Sequence, residues 1–201
     1  LGRAANKMYF QYFPESVRPE TIITRNIGEI KAFYTAHKKN IILKPLQGSG
    51  GKNVFLVNER NQNFNQIVDA IGRDGYIVAQ EYLPKASKGD IRLFLLNGKP
   101  IEIDGKIAAI HRSQASGDIR SNLHQGGSVS VPKITRAVSD IVDAVSYKLI
   151  KDGMFLVGLD IVGDKLMEVN VFSPGGMGHA CRLNDVNYFE EVIKAIEQEL
   201  E

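Results

Sequence analysis

The stretch Gly158-Leu-Asp-Ile-Val-Gly-Asp-Lys-Leu-Met-Glu-Val-Asn170 constrains this chain more than any other. Ile161, Val162, Leu166, Met167 and Val169 ask for burial on two strands, and Gly163 marks the turn between them. Among them stand Asp160, Glu168 and Asn170, oxygen-bearing side chains that need partners if they are to be buried. Glu168 and Asn170 are two apart, so on a strand they share a face. A three-residue turn at Gly163 to Lys165 puts Asp160 opposite Glu168 on that face, whereas a two-residue turn points it the other way. In the first arrangement two carboxylates and an amide converge with no His or Cys nearby. That donor set suits a hard cation such as Mg²⁺, which keeps some waters and takes its remaining ligands from phosphates. In the second, the hairpin shows an ordinary polar face to solvent.

The rest of the chain alternates short helices and strands. Ala4 to Phe13 reads as a short helix carrying Lys7, and Glu20 to Arg25 as a strand. Asn26 caps a helix to about Lys38, with Glu29 completing a capping box. Ile41 to Pro45 is a strand whose Lys44 needs a counter-charge. Gly48, Ser49, Gly50 and Gly51 follow, then a strand from Val54 to Val57. Lys52 is not followed by Ser or Thr and no helix starts there, so this is not a Walker A loop. Strand, glycine loop and strand make either a bare hairpin or a flap that closes over phosphates with backbone N–H groups.

Asn63 to Arg73 reads as a helix and Tyr76 to Leu83 as a strand ending at Pro84. Beyond the polar link Lys85 to Gly89, a strand from Asp90 to Leu96 carries Arg92, and Asn97-Gly98 is a hairpin signal. The chain returns to Ile110 with a further turn or bulge at Asp104-Gly105. Arg112 to Gly127 is a long polar segment holding Arg112, Arg120 and Asn122, a kind of loop that is usually functional or disordered. A helix opening at Lys133 or Thr135 and running to about Lys151 buries Val138, Ile141, Val142, Val145 and Leu149. A closing helix runs from about Asp185 to Leu200. The fold class is α+β, with a first lobe at about 1–83 and an antiparallel second lobe at about 84–201.

At 201 residues, 43% hydrophobic and 24% charged, the composition is that of a globular protein. A net charge of +2 with no Lys/Arg run argues against nucleic acid and anionic membrane surfaces, and no apolar run is long enough to span a bilayer. The single cysteine, Cys181, fits a reducing cytoplasm. Neither it nor His37, His111, His124 or His179 is assigned a role.

Together these pieces resemble the ATP-grasp ligases, and most of all the ATP-grasp portion of bacterial glutathione synthetase. The likeness rests on Arg18 to Asn26, Ile41 to Pro45, Ala79 to Pro84, Gly89 to Arg92, Arg120 to Leu123 with Gly126-Gly127, Val157 to Ile161, and Glu168 to Asn170. It runs from near residue 7 to residue 174 and implies an ATP-grasp fold over 1–201, two α+β lobes with the nucleotide between them. An upstream substrate domain is expected to lie outside this chain.

The resemblance implies that Lys7 and Lys44 contact nucleotide phosphates and that Gly48, Ser49, Gly50 and Gly51 form the flap. It places Gln80, Glu81, Tyr82 and Leu83 around adenine and Asp90 on the ribose. Asp160, Glu168 and Asn170 would hold Mg²⁺, with Mn²⁺ as the alternative ion. Arg92, Arg112, Arg120 and Asn122 would receive the acyl phosphate and substrate carboxylates, with Ser173 close by. The implied reaction joins γ-glutamylcysteine to glycine through an acyl phosphate, using ATP. Another ATP-grasp ligase, such as one adding glutamate to a peptide or protein, and a non-catalytic nucleotide-binding module are the alternatives. The partners expected are these small molecules, with homo-oligomerisation left open. Gly175 to Arg182 and the loop between Ile110 and Arg120 depart from the bacterial enzyme's pattern, so the amine acceptor is the least constrained part of the reading.

Overall fold

The computed structural model describes residues 7–48, 52–60, 63–73, 75–113 and 127–200, and the chain divides into two units, Leu1–Pro84 and Lys85–Glu201. In the first unit four antiparallel strands lie in the order β1-β4-β2-β3: β1 (Thr21–Thr24), β2 (Ile41–Pro45), β3 (Phe55–Val57) and β4 (Ile77–Glu81). Alternation sorts their side chains. Ile41, Leu43, Ile77 and Ala79 enter the core with Ile30 and Phe33 of α1 (Ile27–Ala36) and Val68 and Ile71 of α2 (Phe64–Gly72). Ile42, Lys44, Val78 and Gln80 therefore share the opposite face.

Local chemistry trims the predicted elements. Asn26 caps α1 as expected, its Oδ1 accepting from Gly28 N–H at 2.8 Å. The helix stops at Ala36 because Lys38 and Lys39 both take positive φ. Instead of a helix over Ala4 to Phe13 there is a 3₁₀ turn at Tyr9–Tyr12, with residues 1–6 outside the described set. Pro14 holds Phe13 extended, and the buried rings of Tyr9, Phe10 and Phe13 anchor the segment. Strand β4 ends at Glu81, not Leu83, since Glu81 already faces Ile41, the first residue of β2.

The second unit is built on a sheet of order β10-β9-β5-β11-β12. Its strands are β5 (Asp90–Leu96), with β6 (Lys99–Pro100) paired to it, then β9 (Ala109–Arg112), β10 (Val129–Ser130), β11 (Leu156–Val162) and β12 (Lys165–Asn170). A small hairpin, β7 (Glu102–Ile103) and β8 (Lys106–Ile107), turns at Asp104-Gly105 with both residues at positive φ. The stripe expected on α3 (Arg136–Lys151) is buried, and its Ser146 hydroxyl donates to the Gly98 carbonyl in the Asn97-Gly98 turn at 2.6 Å. Phe94 and Ile110 pack with Met177 and Ala180 of α4 (Met177–Asn184) and Tyr188 and Val192 of α5 (Tyr188–Leu200). The residue pattern predicts one closing helix from about Asp185. Two form, because Asp185 takes φ 52° as the C-cap of α4 and the chain restarts at Tyr188.

In the hairpin of β11 and β12 the shorter of the two turns forms, yet Asp160 still faces Glu168. Val162 pairs with Lys165 and Ile161 with Leu166, so the turn has two residues, Gly163 and Asp164. A β-bulge at Met167 then restores the register, and Asp160 faces Glu168 and Gly158 faces Asn170. Asp160, Glu168 and Asn170 thus share one face. Across β11 the same row continues to Arg92, which pairs with Asp160.

Gly89 makes the start of β5 possible. It sits at φ +97°, and a Cβ there would stand 2.0 Å from the Arg112 carbonyl oxygen. Gly89→Ala should destabilise the protein by about 3 kcal/mol or more through strain and the separation of β5 from β9. A loss below about 1 kcal/mol in urea unfolding would show that the approach is not that tight.

Candidate functional site

In the second unit, four charges of alternating sign share one sheet face, three of them buried and Arg112 partly so. Asp90 and Arg92 are two apart on β5, Arg112 lies opposite Asp90 on β9, and Asp160 lies opposite Arg92 on β11. Asp90, Arg92 and Asp160 are each 7% exposed or less. Arg92 grips Asp160 with two donors, Nε on Oδ1 and Nη2 on Oδ2 at 2.8 Å. Its remaining Nη1 donates to the Gly175 carbonyl at 3.0 Å. Arg112 grips Asp90 in the same way, Nε on Oδ1 at 3.1 Å and Nη2 on Oδ2, and its Nη2 also lies 2.9 Å from Asp160 Oδ2. Fork geometry explains why both cations are arginines: only a guanidinium offers two parallel donors to a carboxylate while a third N–H serves another partner. Close approach of Arg92 requires Gly158, where a Cβ would stand 2.8 Å from Pro174 Cβ and 3.0 Å from Arg92 Cδ.

The two aspartates are driven in opposite directions. Burial pushes both carboxyls up. At Asp160 this is overcome by Arg92 and then Arg112, which hold it below its ordinary 3.8. Asp90 has Arg112 but also faces the Asp160 charge, and it stays above 3.8. Burial would lower the Arg112 value, yet Asp160 and Asp90 raise it, so the guanidinium stays charged. Glu168 and Asn170 flank the cluster, half-buried. Asn170 Nδ2 donates to the Gly158 carbonyl at 3.4 Å and to Asp160 Oδ2 at 3.5 Å. Asp160, Glu168 and Asn170 offer oxygen donors only, on one face beside two arginines, which fits a hard divalent ion.

In the first unit, Lys44 Nζ donates to Gln80 Oε1 at 3.0 Å, Gln80 Nε2 to Thr21 Oγ1 at 3.0 Å, and Thr21 Oγ1 to the Pro19 carbonyl at 2.9 Å. This chain crosses β2, β4 and β1 and aims the lysine from the face opposite the core. Gln80 is buried within it. Lys7 Nζ donates to the Gly48 carbonyl at 2.9 Å, tying the N-terminal segment to the first residue of the glycine loop. Glu81 ends β4 on the core side, and Tyr82 and Leu83 continue half-buried to Pro84. Ser173 stands exposed after β12 at φ 50°. Ser49, Gly50, Gly51, Arg120 and Asn122 lie outside the described residues.

The structure thus gathers Asp90, Arg92, Arg112, Asp160 and Asn170 into one hydrogen-bonded cluster with Glu168 beside it. Both oxygens of Asp90, expected to take the ribose, engage Arg112, and both of Asp160, expected to hold Mg²⁺, engage Arg92. Thr21 and Gly175 were not foreseen. No residue pattern marks either, although Gly158 inside a strand was a legible sign of close approach.

The pH dependence of the cluster follows from these directions. Asp160, depressed, contributes stability that is present above 3.8 and lost as pH falls through its folded value. Asp90, raised, takes its proton in the folded state before the unfolded chain does, so falling pH first relieves its cost. Carboxyl ¹³C NMR should therefore show Asp90 titrating above 3.8 and Asp160 below it, and the reverse order would refute the charge assignment.

Residues 6–185 match the family described as prokaryotic glutathione synthetase, ATP-grasp domain. The glutathione synthetase of Synechococcus elongatus is 37% identical over 199 residues, covering 98% of this chain and 59% of the relative. That of Shewanella oneidensis is 36% identical over 200 residues, covering 98% and 62%. The chain therefore spans about three-fifths of the length of these curated relatives. Among solved structures, D-cycloserine synthetase DcsG superposes with a TM-score of 0.71 at 13% identity, covering 98% of this chain and 71% of that one. The D-alanine–D-alanine ligase of Bacillus anthracis gives 0.61 at 16% identity, covering 96% and 62%. The fold is the α+β ATP-grasp fold, and the chain belongs to the family of prokaryotic glutathione synthetase ATP-grasp domains.

Proposed function

We propose that the protein this chain belongs to is an ATP-dependent carboxylate–amine ligase, and that its reaction joins γ-glutamylcysteine to glycine. The observation that carries the chemistry is the shared face of Asp160, Glu168 and Asn170 beside Arg92 and Arg112. The substrate pair rests on the relatives named glutathione synthetase, at 36–37% identity.

A substrate carboxylate attacks the γ-phosphorus of ATP, the bond to the bridging oxygen breaks, and ADP leaves with an acyl phosphate formed. The amine then attacks the acyl carbon, phosphate departs carrying away the proton that the nitrogen gives up, and the amide remains. Such a transfer asks the protein for positioning and charge neutralisation more than covalent chemistry. Lys44, fixed by Gln80, and Lys7, fixed at the glycine loop, supply cations for the nucleotide phosphates. Arg92 and Arg112 are held ready in a desolvated setting where each charge counts for more than in water. Asp160, Glu168 and Asn170 would hold Mg²⁺, whose contribution is to neutralise phosphate oxygens and favour departure of the leaving group. No Ser or Cys nucleophile is required.

The test is ADP release from Mg-ATP by the full-length protein, with γ-glutamylcysteine plus glycine set against other acid–amine pairs. Release that needs both precursors is the expected result. Release with a different pair would keep the ligase mechanism and overturn the substrate, while nucleotide binding without turnover on any pair would overturn the ligase. Glu168→Gln should lower turnover by two orders of magnitude or more, roughly 3 kcal/mol, with an unchanged melting temperature. Near-normal ADP release by that variant would remove Glu168 from the metal set.

A further inference from the structure

Glu20 and His37 have no role in the proposed ligation, yet with Glu81 they bring three ligand-type side chains together. Their ligand atoms lie within 4.8 Å of one another. His37 caps α1 at its C-terminal end, Glu20 precedes β1, and Glu81 closes β4. Three contacts fix these positions. Glu81 N–H donates to the Glu20 carbonyl at 2.9 Å, locking the two strand ends together. The His37 ring stacks on Phe33 with centroids 4.0 Å apart. Its Nδ1 lies 2.9 Å from the Phe33 carbonyl oxygen, which can only accept, so Nδ1 carries the proton.

That last contact settles what the other nitrogen can do. Nε2 lies 3.2 Å from Glu20 Oε2, a distance at which a protonated ring pairs with that carboxylate and at which, with the proton on Nδ1 alone, the two atoms stand as neighbouring ligands of one ion. A histidine whose far nitrogen is anchored on a backbone carbonyl has the support found behind metal-bound imidazoles. The two carboxylates beside it repel each other unless a cation stands between them. A tetrahedral ion with bonds of about 2.1 Å places its ligands about 3.4 Å apart. The Glu20 side chain, 68% exposed, has the freedom to close that last distance, while His37 at 14% does not need to move.

We propose that Glu20, His37 and Glu81 form a second divalent-cation site, of a different chemical class from the all-oxygen set at Asp160. One imidazole nitrogen and two carboxylate oxygens select a borderline transition ion, Zn²⁺ above all, over Mg²⁺. The ion would clasp the first strand, the last strand and the C-terminal end of α1 at the residue preceding Tyr82 and Leu83.

The experiment is a calorimetric titration of the tag-free chain with Zn²⁺, alone and in excess Mg²⁺, alongside His37→Gln and Glu20→Gln. Co²⁺ serves as a visible-absorption probe of the same ligands, and circular dichroism checks the fold of each variant. One Zn²⁺ per chain, retained in Mg²⁺ and bound roughly tenfold or more weakly by either variant, is the expected result. The site should also raise the melting temperature in Zn²⁺, an effect absent from the variants. Equal Zn²⁺ affinity in the parent and in a folded variant, or no binding by the parent, would overturn the proposal. Should His37→Gln not fold, Glu20→Gln decides it, since that side chain is mostly exposed.

Discussion

The alternating ladder Asp90–Arg112–Asp160–Arg92 is the interaction on which the second unit depends. Two cations and two anions cancel, so the cluster can be buried, but removing any one member leaves an uncompensated charge at a cost of several kcal/mol. That constraint spreads outward. It demands glycine at 89 and at 158, where a Cβ would strike the Arg112 backbone or the Arg92 side chain. It holds β9, β5 and β11 in one register, and through Arg92 Nη1 it fixes the connection after β12 at the Gly175 carbonyl. Structure and proposed chemistry share these groups: the arginines that neutralise buried carboxylates are those we propose to meet phosphoryl oxygens.

Such a cluster is preorganised in the sense that matters for charge transfer. Its donors are aimed by strand geometry, not gathered by the substrate. Each guanidinium, however, is already hydrogen-bonded to a carboxylate. An incoming phosphate must therefore offer more than those contacts do, which is easier for a polyanion arriving with a divalent cation than for a lone carboxylate.

Much of this was legible in the chain. Seven residues separate Asp160 from Glu168, an odd number, and facing them across a hairpin requires either an odd turn or a bulge. The stretch left open whether they face, since a three-residue turn brings them together and a two-residue turn alone does not, and the bulge at Met167 that lets a two-residue turn keep them opposite leaves no mark in the residue pattern. The stripe of α3 and the Asn97-Gly98 turn were visible because their signals are local and periodic. The engagement of Asp90 by Arg112 was not, since strand pairing decides it and no spacing records it. The same holds for Glu20, His37 and Glu81, which lie on three elements and meet only when β1 pairs with β4. Helix α4 was hidden because a glycine-rich entry reads as loop, and only packing of Met177 and Ala180 against Phe94 and Ile110 makes it a helix.

The pairing of β1 with β4 carries a consequence for how the protein is made. The first strand of the first unit hydrogen-bonds to its last, Thr21 to Gln80 and Thr24 to Ile77. A nascent chain leaving the ribosome cannot close this sheet until Glu81 has emerged, because β4 is also the strand that joins β1 to β2. Until then Ile41 and Leu43 have β3 as their sheet partner, and the apolar faces of α1 and α2 lack Ile77 and Ala79 of the core they share. The unit's ends meet, so its folding is gated by emergence of its final strand, and a pause in translation after Pro84 has cleared the ribosome would favour its completion before the second sheet competes for partners.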